Sequence, residues 1–279
     1  MRAAFRFLGR GSWLARRDPR VPLLVALTYV TATTQLRDIR HLLVALVLAF
    51  TYYAMAQIPW RAVRVQWTYL VIVVAVFSSL NAILTGGGAG SFEGEETHVL
   101  FTLPLGIEVT AEGVSLAATR FVRFLGIAAV SFPVAYAIAP GDLGLALRRL
   151  HLGDRFSVMV DLTVRFIPTI AHEFSETLDA QRVRGYDPTA RTGGLLARVR
   201  RVTPLFVPVT VGSLAGAEDT IDAMDLRGFG TGKRVWYRQL HMDPASWVVV
   251  LAFLLFLAVA TSLSLTGQSA HYLLPFLVT

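Results

Sequence analysis

The 279-residue chain contains no cysteine, so disulfide bonds, thiol catalysis and cysteine-based metal sites are excluded. Its six histidines are scattered, and His172-Glu173 is not followed by a second histidine at the spacing of a zinc protease. No serine, histidine and aspartate combination resembles a hydrolase site around a glycine-flanked elbow. The sequence therefore predicts no catalytic residues, no bound metal and no cofactor.

Lysine is almost absent as well, because Lys233 is the only one among 26 basic residues. It lies in Gly228-Phe229-Gly230-Thr231-Gly232-Lys233-Arg234, which is similar to a phosphate-binding loop. Such a loop needs a glycine five residues before its Gly-Lys pair and a serine or threonine after it. Arg227 and Arg234 occupy those two positions, so the segment does not predict nucleotide binding.

Hydrophobic residues are abundant, at 54% of the chain, and they gather in stretches that approach the length of a membrane span. This pattern predicts an all-α polytopic membrane protein with about five transmembrane helices. The five stretches are Val21 to about Thr34, Leu42–Pro59, Trp67–Leu84, Ser115–Ala139 and Trp247 to about Leu265.

Positive charge is absent between Thr85 and Glu112, a stretch that instead carries five glutamates. Residues 141–243 hold fourteen basic residues, and the first twenty residues hold six more arginines. Because cytoplasmic loops are enriched in lysine and arginine, we expect the N-terminus and residues 141–243 to be cytoplasmic and 85–112 to lie outside. Arg37 and Arg40, after the first span, are the main exceptions.

Three parts of the chain follow from this topology. Residues 1–140 form an N-terminal membrane domain of about four spans, residues 141–243 a cytoplasmic coupling domain, and residues 244–279 a last span with its tail. The coupling domain has helical periodicity, and Pro168, Pro204 and Pro208 mark helix starts or kinks. The apolar stretch Val202–Ala217 favours a helix at the inner face of the membrane, since basic residues precede it and acidic ones follow it.

A ten-residue phrase occurs twice in the coupling domain, 43 positions apart: Thr177–Tyr186 (the first copy) returns as Thr220–Phe229 (the second copy). Five residues are identical, and each copy ends in Arg-Gly followed by an aromatic residue. Two ordinary helix C-caps would explain the Arg-Gly pairs, because arginine favours the helix dipole and glycine the left-handed turn. They would not explain the other identities.

These features together resemble the transmembrane T component of energy-coupling factor (ECF) transporters, the family that includes the cobalt-transporter membrane subunit. The resemblance is carried by Asp18-Pro19-Arg20, Ala139–Leu143, Leu162–Pro168, Val183-Arg184-Gly185 and Leu226-Arg227-Gly228, in this order. The last two match the family's two Ala-Arg-Gly motifs, with Val183 and Leu226 where alanine is usual.

The resemblance implies a non-catalytic energy-coupling subunit in a prokaryotic cell membrane. Its partners would be two ATP-binding cassette ATPases, which hydrolyse ATP, a membrane S component that binds a vitamin or transition metal, and membrane lipid. Two long cytoplasmic helices would cross, each docking its Arg-Gly end in an ATPase groove. The implied docking residues are Ala180, Val183, Arg184, Gly185, Ala223, Leu226, Arg227 and Gly228.

Two other classes remain as alternatives. A polytopic membrane enzyme requires paired polar catalytic residues inside its spans, and these spans offer only Arg120 and Arg123. A stand-alone secondary transporter typically carries repeats among its spans, whereas this repeat lies in the coupling domain. Nucleic acid is not an expected partner, because the basic residues alternate with acidic ones and lack an aromatic stacking platform.

Overall fold

The computed structural model describes residues 14, 17–84, 99–103, 107–186, 195–232 and 240–267. Within them the chain forms eight α-helices and one two-stranded hairpin. In chain order these are α1 (Arg20–Gln35), α2 (Ile39–Met55), α3 (Trp60–Leu84), β1 (Val99–Leu103), β2 (Ile107–Thr110), α4 (Ala111–Ala137), α5 (Leu143–Arg149), α6 (Asp154–Val183), α7 (Leu195–Leu226) and α8 (Pro244–Leu265).

The chain divides into two compact units, one containing α1 to α5, the hairpin and α8, and the other containing α6 and α7. In the first unit, hereafter the membrane unit, α4 packs against α1, α2 and α3, and α1 packs against α8. Side chains cap two of these helices: Asp38 accepts a hydrogen bond from the Arg40 amide, and Thr110 accepts one from the Gly113 amide.

Small residues let the helices of the membrane unit approach closely, as is typical of helix packing in membranes. Gly126 of α4 faces the Tyr29 ring of α1, and a Cβ atom at this position would overlap the tyrosine hydroxyl. The Tyr29 ring also stacks on Phe256 of α8 at a centroid distance of 6.0 Å. Buried alanines occupy many of the remaining contact positions: Ala32, Ala45, Ala49, Ala128 and Ala129.

Helices occur at all five predicted membrane spans, and the all-α fold class is confirmed. Three of them are long and apolar enough to cross a membrane: Trp60–Asn81 within α3, Ala111–Ala137 and Pro244–Leu265. The apolar α2 is shorter, with 17 residues, and α1 has 16. Sixteen helical residues extend about 24 Å, which is less than the roughly 30 Å hydrocarbon core.

The β1–β2 hairpin is an addition that we did not predict. Its strands pair antiparallel, with Leu103 opposite Ile107 and Thr102 opposite Glu108. It lies within the stretch 85–112, immediately before α4. The rest of the stretch from 85 to 98 is outside the described residues.

The second unit, hereafter the coupling pair, consists of α6 with 30 residues and α7 with 32. Pro168 lies inside α6, and Pro204 and Pro208 lie inside α7, so none of the three marks a helix start. Both copies of the repeat occupy the C-terminal ends of these helices.

Candidate functional site

The two helices of the coupling pair run antiparallel where they touch. Near the middle, the Ser213 hydroxyl of α7 donates a 2.7 Å hydrogen bond to the Glu173 carboxylate of α6. Towards the end of α6, the Gln181 amide donates to the Pro204 carbonyl at 3.4 Å. The C-terminal end of each helix therefore lies beside the N-terminal half of the other.

This arrangement places the two repeat copies at opposite ends of the pair. Met224, near the end of α7, lines the same cleft as Leu162 of α6. Leu162 and Arg184 are separated by about twenty helical residues, or roughly 30 Å along α6. The two Arg-Gly ends, Arg184-Gly185 and Arg227-Gly228, are therefore well separated sites on one helix pair.

The first copy ends in a complete Schellman motif. The Tyr186 amide donates to the Gln181 carbonyl at 2.9 Å, and the Gly185 amide donates to the Arg182 carbonyl at 3.0 Å. Gly185 has a φ of +87°, a left-handed conformation that costs glycine little. The Arg-Gly pair of the first copy thus coincides with the point at which α6 terminates.

The second copy ends in the same motif. The Phe229 amide donates to the Met224 carbonyl at 2.9 Å, and the Gly228 amide donates to the Asp225 carbonyl at 2.9 Å. The φ of Gly228 is +68°. The same bonds at the same repeat positions show that Arg184 and Arg227 leave their helices in equivalent backbone positions.

Capping explains the glycines but not the residues before them. Val183 and Leu226 are each 90% exposed, although both are large and apolar. In a Schellman motif the accompanying apolar contact joins the residue after the glycine, here Tyr186 or Phe229, to a residue of the preceding turn other than Val183 or Leu226. The exposed valine and leucine therefore have no role in the caps themselves.

The remaining predicted site residues are also exposed. Arg184, Arg227, Ala180 and Ala223 all present their side chains to solvent. Among the described residues, neither Arg184 nor Arg227 forms a salt bridge, whereas the neighbouring Arg182 pairs with Asp179 at 3.0 Å. Each Arg-Gly end thus combines an exposed apolar side chain with a guanidinium that has no carboxylate partner in the described part of the chain.

A cleft of about 430 Å³ opens between α6 and α7 beside Arg227. Its wall contains a second arginine, Arg165, and a carboxylate, Asp219. We did not predict this cleft from the sequence. Arg165 belongs to the Leu162–Pro168 stretch that carries the family resemblance. Its position in the same cleft as Arg227 depends on how the two helices pack.

An apolar stripe runs along the solvent-exposed side of α7. Val207, Val211, Leu214 and Ile221 are 53%, 61%, 63% and 57% exposed. Their spacing of three, four or seven residues keeps them on one side of the helix. In the coupling pair alone, α6 does not cover this surface.

Comparisons with known proteins match nearly the whole chain. A protein-family model described as "Cobalt transport protein" (CbiQ) matches residues 10–237. The chain is 27% identical to an energy-coupling factor transporter transmembrane protein, EcfT, of Limosilactobacillus fermentum, with 90% of this chain and 94% of that protein covered. It is 28% identical to the protein of the same name from Bacillus selenitireducens, with 87% and 90% covered.

Proposed function

The chain belongs to the CbiQ family of cobalt transport proteins, and from this membership we propose that it couples two ATP-binding cassette ATPases to a substrate-binding membrane subunit. It is a membrane component of an energy-coupling factor transporter and not a catalytic enzyme. In the proposed complex the ATPases supply the energy, and the membrane subunit selects a vitamin or a transition metal.

One observation carries the proposal: the coupling pair presents the same exposed unit at both of its ends. Each unit consists of an apolar side chain, Val183 or Leu226, followed by Arg184 or Arg227. Two similar ATPases side by side would offer two similar grooves. One antiparallel helix pair with equivalent ends can occupy both grooves at once.

Each element of the unit has a physical role in docking. The apolar side chain fills the groove and loses its contact with water, which favours association by about 1.5–3 kcal/mol for a fully buried valine or leucine. The guanidinium can form two parallel hydrogen bonds with a carboxylate in the groove. The glycine that follows turns the backbone away from the partner without a side-chain clash.

We propose that the coupling pair transmits motion, because its two docking points lie at its opposite ends. When ATP draws the two ATPases together, the two docking points move with them, and the long helices carry this motion along the coupling pair. We propose that the apolar stripe of Val207, Val211, Leu214 and Ile221 contacts the substrate-binding membrane subunit. A tilt of that subunit would then be driven by movement of α7.

The proposed location is the prokaryotic cell membrane, with the coupling pair on the cytoplasmic side. The charge distribution supports this orientation, because residues 141–243 are rich in arginine and residues 85–112 contain none. ATP is available on that side, where the ATPases would bind.

Copurification tests the proposal directly. A tagged chain, co-expressed with candidate ATPase and membrane subunits from its own genome, should retain two ATPase chains and one membrane subunit in a stable complex. ATP hydrolysis should accompany the complex and be absent from the isolated chain. Retention of no ATPase, or hydrolysis by the isolated chain, would contradict the proposal.

A further inference from the structure

We propose that Arg165 and Arg227 together bind one carboxylate of a partner ATPase in the cleft between α6 and α7. This inference rests on the proposed function and adds a second cationic residue to one of its two docking ends.

The cleft has the composition of a site for a small anionic group. The aliphatic and aromatic side chains of Leu162, Phe166 and Met224 form apolar parts of its wall. The charged side chains Arg165, Asp219 and Arg227 are exposed, so a partner carboxylate can reach them from solvent. Polar and charged groups complete the wall: Arg165, Thr169, Asp219, Thr220 and Arg227.

The charges within the cleft are not already paired with one another. Among the described residues, Asp219 forms no salt bridge with Arg165 or Arg227. Two guanidinium groups against one carboxylate leave the cleft with one excess positive charge. A second carboxylate, supplied by a partner, would neutralise this excess and could accept hydrogen bonds from both arginines.

At the other end of the coupling pair, the position equivalent to Arg165 holds no arginine. The repeat aligns residues 43 positions apart, so Pro208 of α7 is the counterpart of Arg165. Leu205, the counterpart of Leu162, is buried, and the Gln181 amide donates to the Pro204 carbonyl nearby. The lining that Leu162 and Arg165 give to the cleft therefore has no equivalent at these two positions of α7.

The scarcity of lysine makes a specific cross-linking experiment possible. In a Lys233→Arg background the chain has no lysine, so an Arg165→Lys replacement introduces its only lysine ε-amine. A zero-length carbodiimide then joins that amine only to a carboxylate in direct contact. The sample is the complex with the ATPases that copurify with the wild-type chain. Arg155→Lys in the same background is the control, because Arg155 lies on α6 but does not line the cleft.

We expect the Arg165→Lys chain to cross-link to an acidic residue of one ATPase, at least tenfold more efficiently than the Arg155→Lys control. Arg165→Gln should weaken association of that ATPase about tenfold, while Arg165→Lys, which keeps the charge but loses the planar fork, should retain part of it. Absence of an ATPase cross-link, or a cross-link mapped only to Asp219, would overturn the inference.

The same experiment separates this inference from the proposed function. If Arg227→Lys in the lysine-free background cross-links to an ATPase and Arg165→Lys does not, only the role of Arg165 is wrong. If the wild-type chain retains no ATPase at all, the proposed function itself fails.

Discussion

Val183 and Leu226 occupy the same position in the two repeat copies, and both are 90% exposed. A large apolar side chain gains stability from burial, so its exposure at a helix end is unfavourable in the chain alone. The caps beside these residues are complete without them. The pair is therefore best explained as two contact points for other subunits, and this relationship suggests the first test.

Replacing Val183 or Leu226 with serine should weaken ATPase association by about 1–3 kcal/mol each, because the apolar contact in the groove is lost. The fold should be unaffected, since both side chains are already exposed. Quantitative copurification and thermal unfolding in detergent would measure the two effects. Ile170→Ser, at a 42% exposed position of α6 near the middle of the coupling pair, should leave association unchanged.

Gly185→Ala and Gly228→Ala should each destabilise the coupling pair by about 1 kcal/mol, because both glycines adopt a left-handed backbone. Gly212→Ala is the matched control, because Gly212 lies inside α7, has no positive φ and has open space where the new methyl group would lie. Thermal unfolding of the three variants would compare them. Gly212→Ala should raise stability by about 0.5–1 kcal/mol, because alanine favours a helix interior over glycine. Equal stability of all three variants would contradict the left-handed strain expected at the two caps.

The membrane unit offers a prediction that is independent of any partner. Gly126→Ala should destabilise it by about 1–3 kcal/mol, because the new methyl group meets the Tyr29 hydroxyl. Tyr29→Phe should relieve much of this effect in the double variant, since the next ring atom would lie 3.2 Å from the methyl group. A double-mutant cycle on unfolding temperature measures the coupling, and additive effects would contradict the contact.

Much of the fold was predictable from the sequence because it depends on local signals. The lengths of apolar stretches located the membrane helices, and the repeated phrase located the two equivalent helix ends. The hairpin also had a local signal, since Pro104 and Gly106 separate two short runs rich in apolar and β-branched residues. We did not predict the hairpin, because the two runs are short and lie within a glutamate-rich stretch.

The cleft beside Arg227 was not predictable in the same way. Arg165 and Arg227 are 62 residues apart in the sequence, and they line the same cleft only because α6 and α7 pack antiparallel. Neither the period of the apolar residues nor the repeat determines that register. The exposure of Val183 and Leu226 likewise depends on how the two helices pack. From their apolar side chains alone, both residues would be expected in a core.

Topology can be tested with introduced cysteines, because the chain has none of its own. Single cysteines at Ser91 and Thr192, which both lie outside the described residues, should react with membrane-impermeant reagents from opposite sides. We expect Ser91 to react from outside and Thr192 from the cytoplasm. Intact cells and inverted vesicles give the two accessibilities. Labelling of both positions from the same side would contradict the proposed orientation.

The most direct test of the account is ATPase association with the Arg184→Ala/Arg227→Ala double variant. Each single replacement should weaken docking by a few kcal/mol, because a buried partner carboxylate would lose its counter-charge. Lysine at the same positions should restore only part of the affinity, since it lacks the planar fork. Arg148→Ala, outside the coupling pair, serves as the control.

We predict that the double variant loses ATPase association and substrate uptake while the membrane helices stay folded and still bind the substrate-binding subunit. Full association and uptake by the double variant would show that the two Arg-Gly ends are only helix caps.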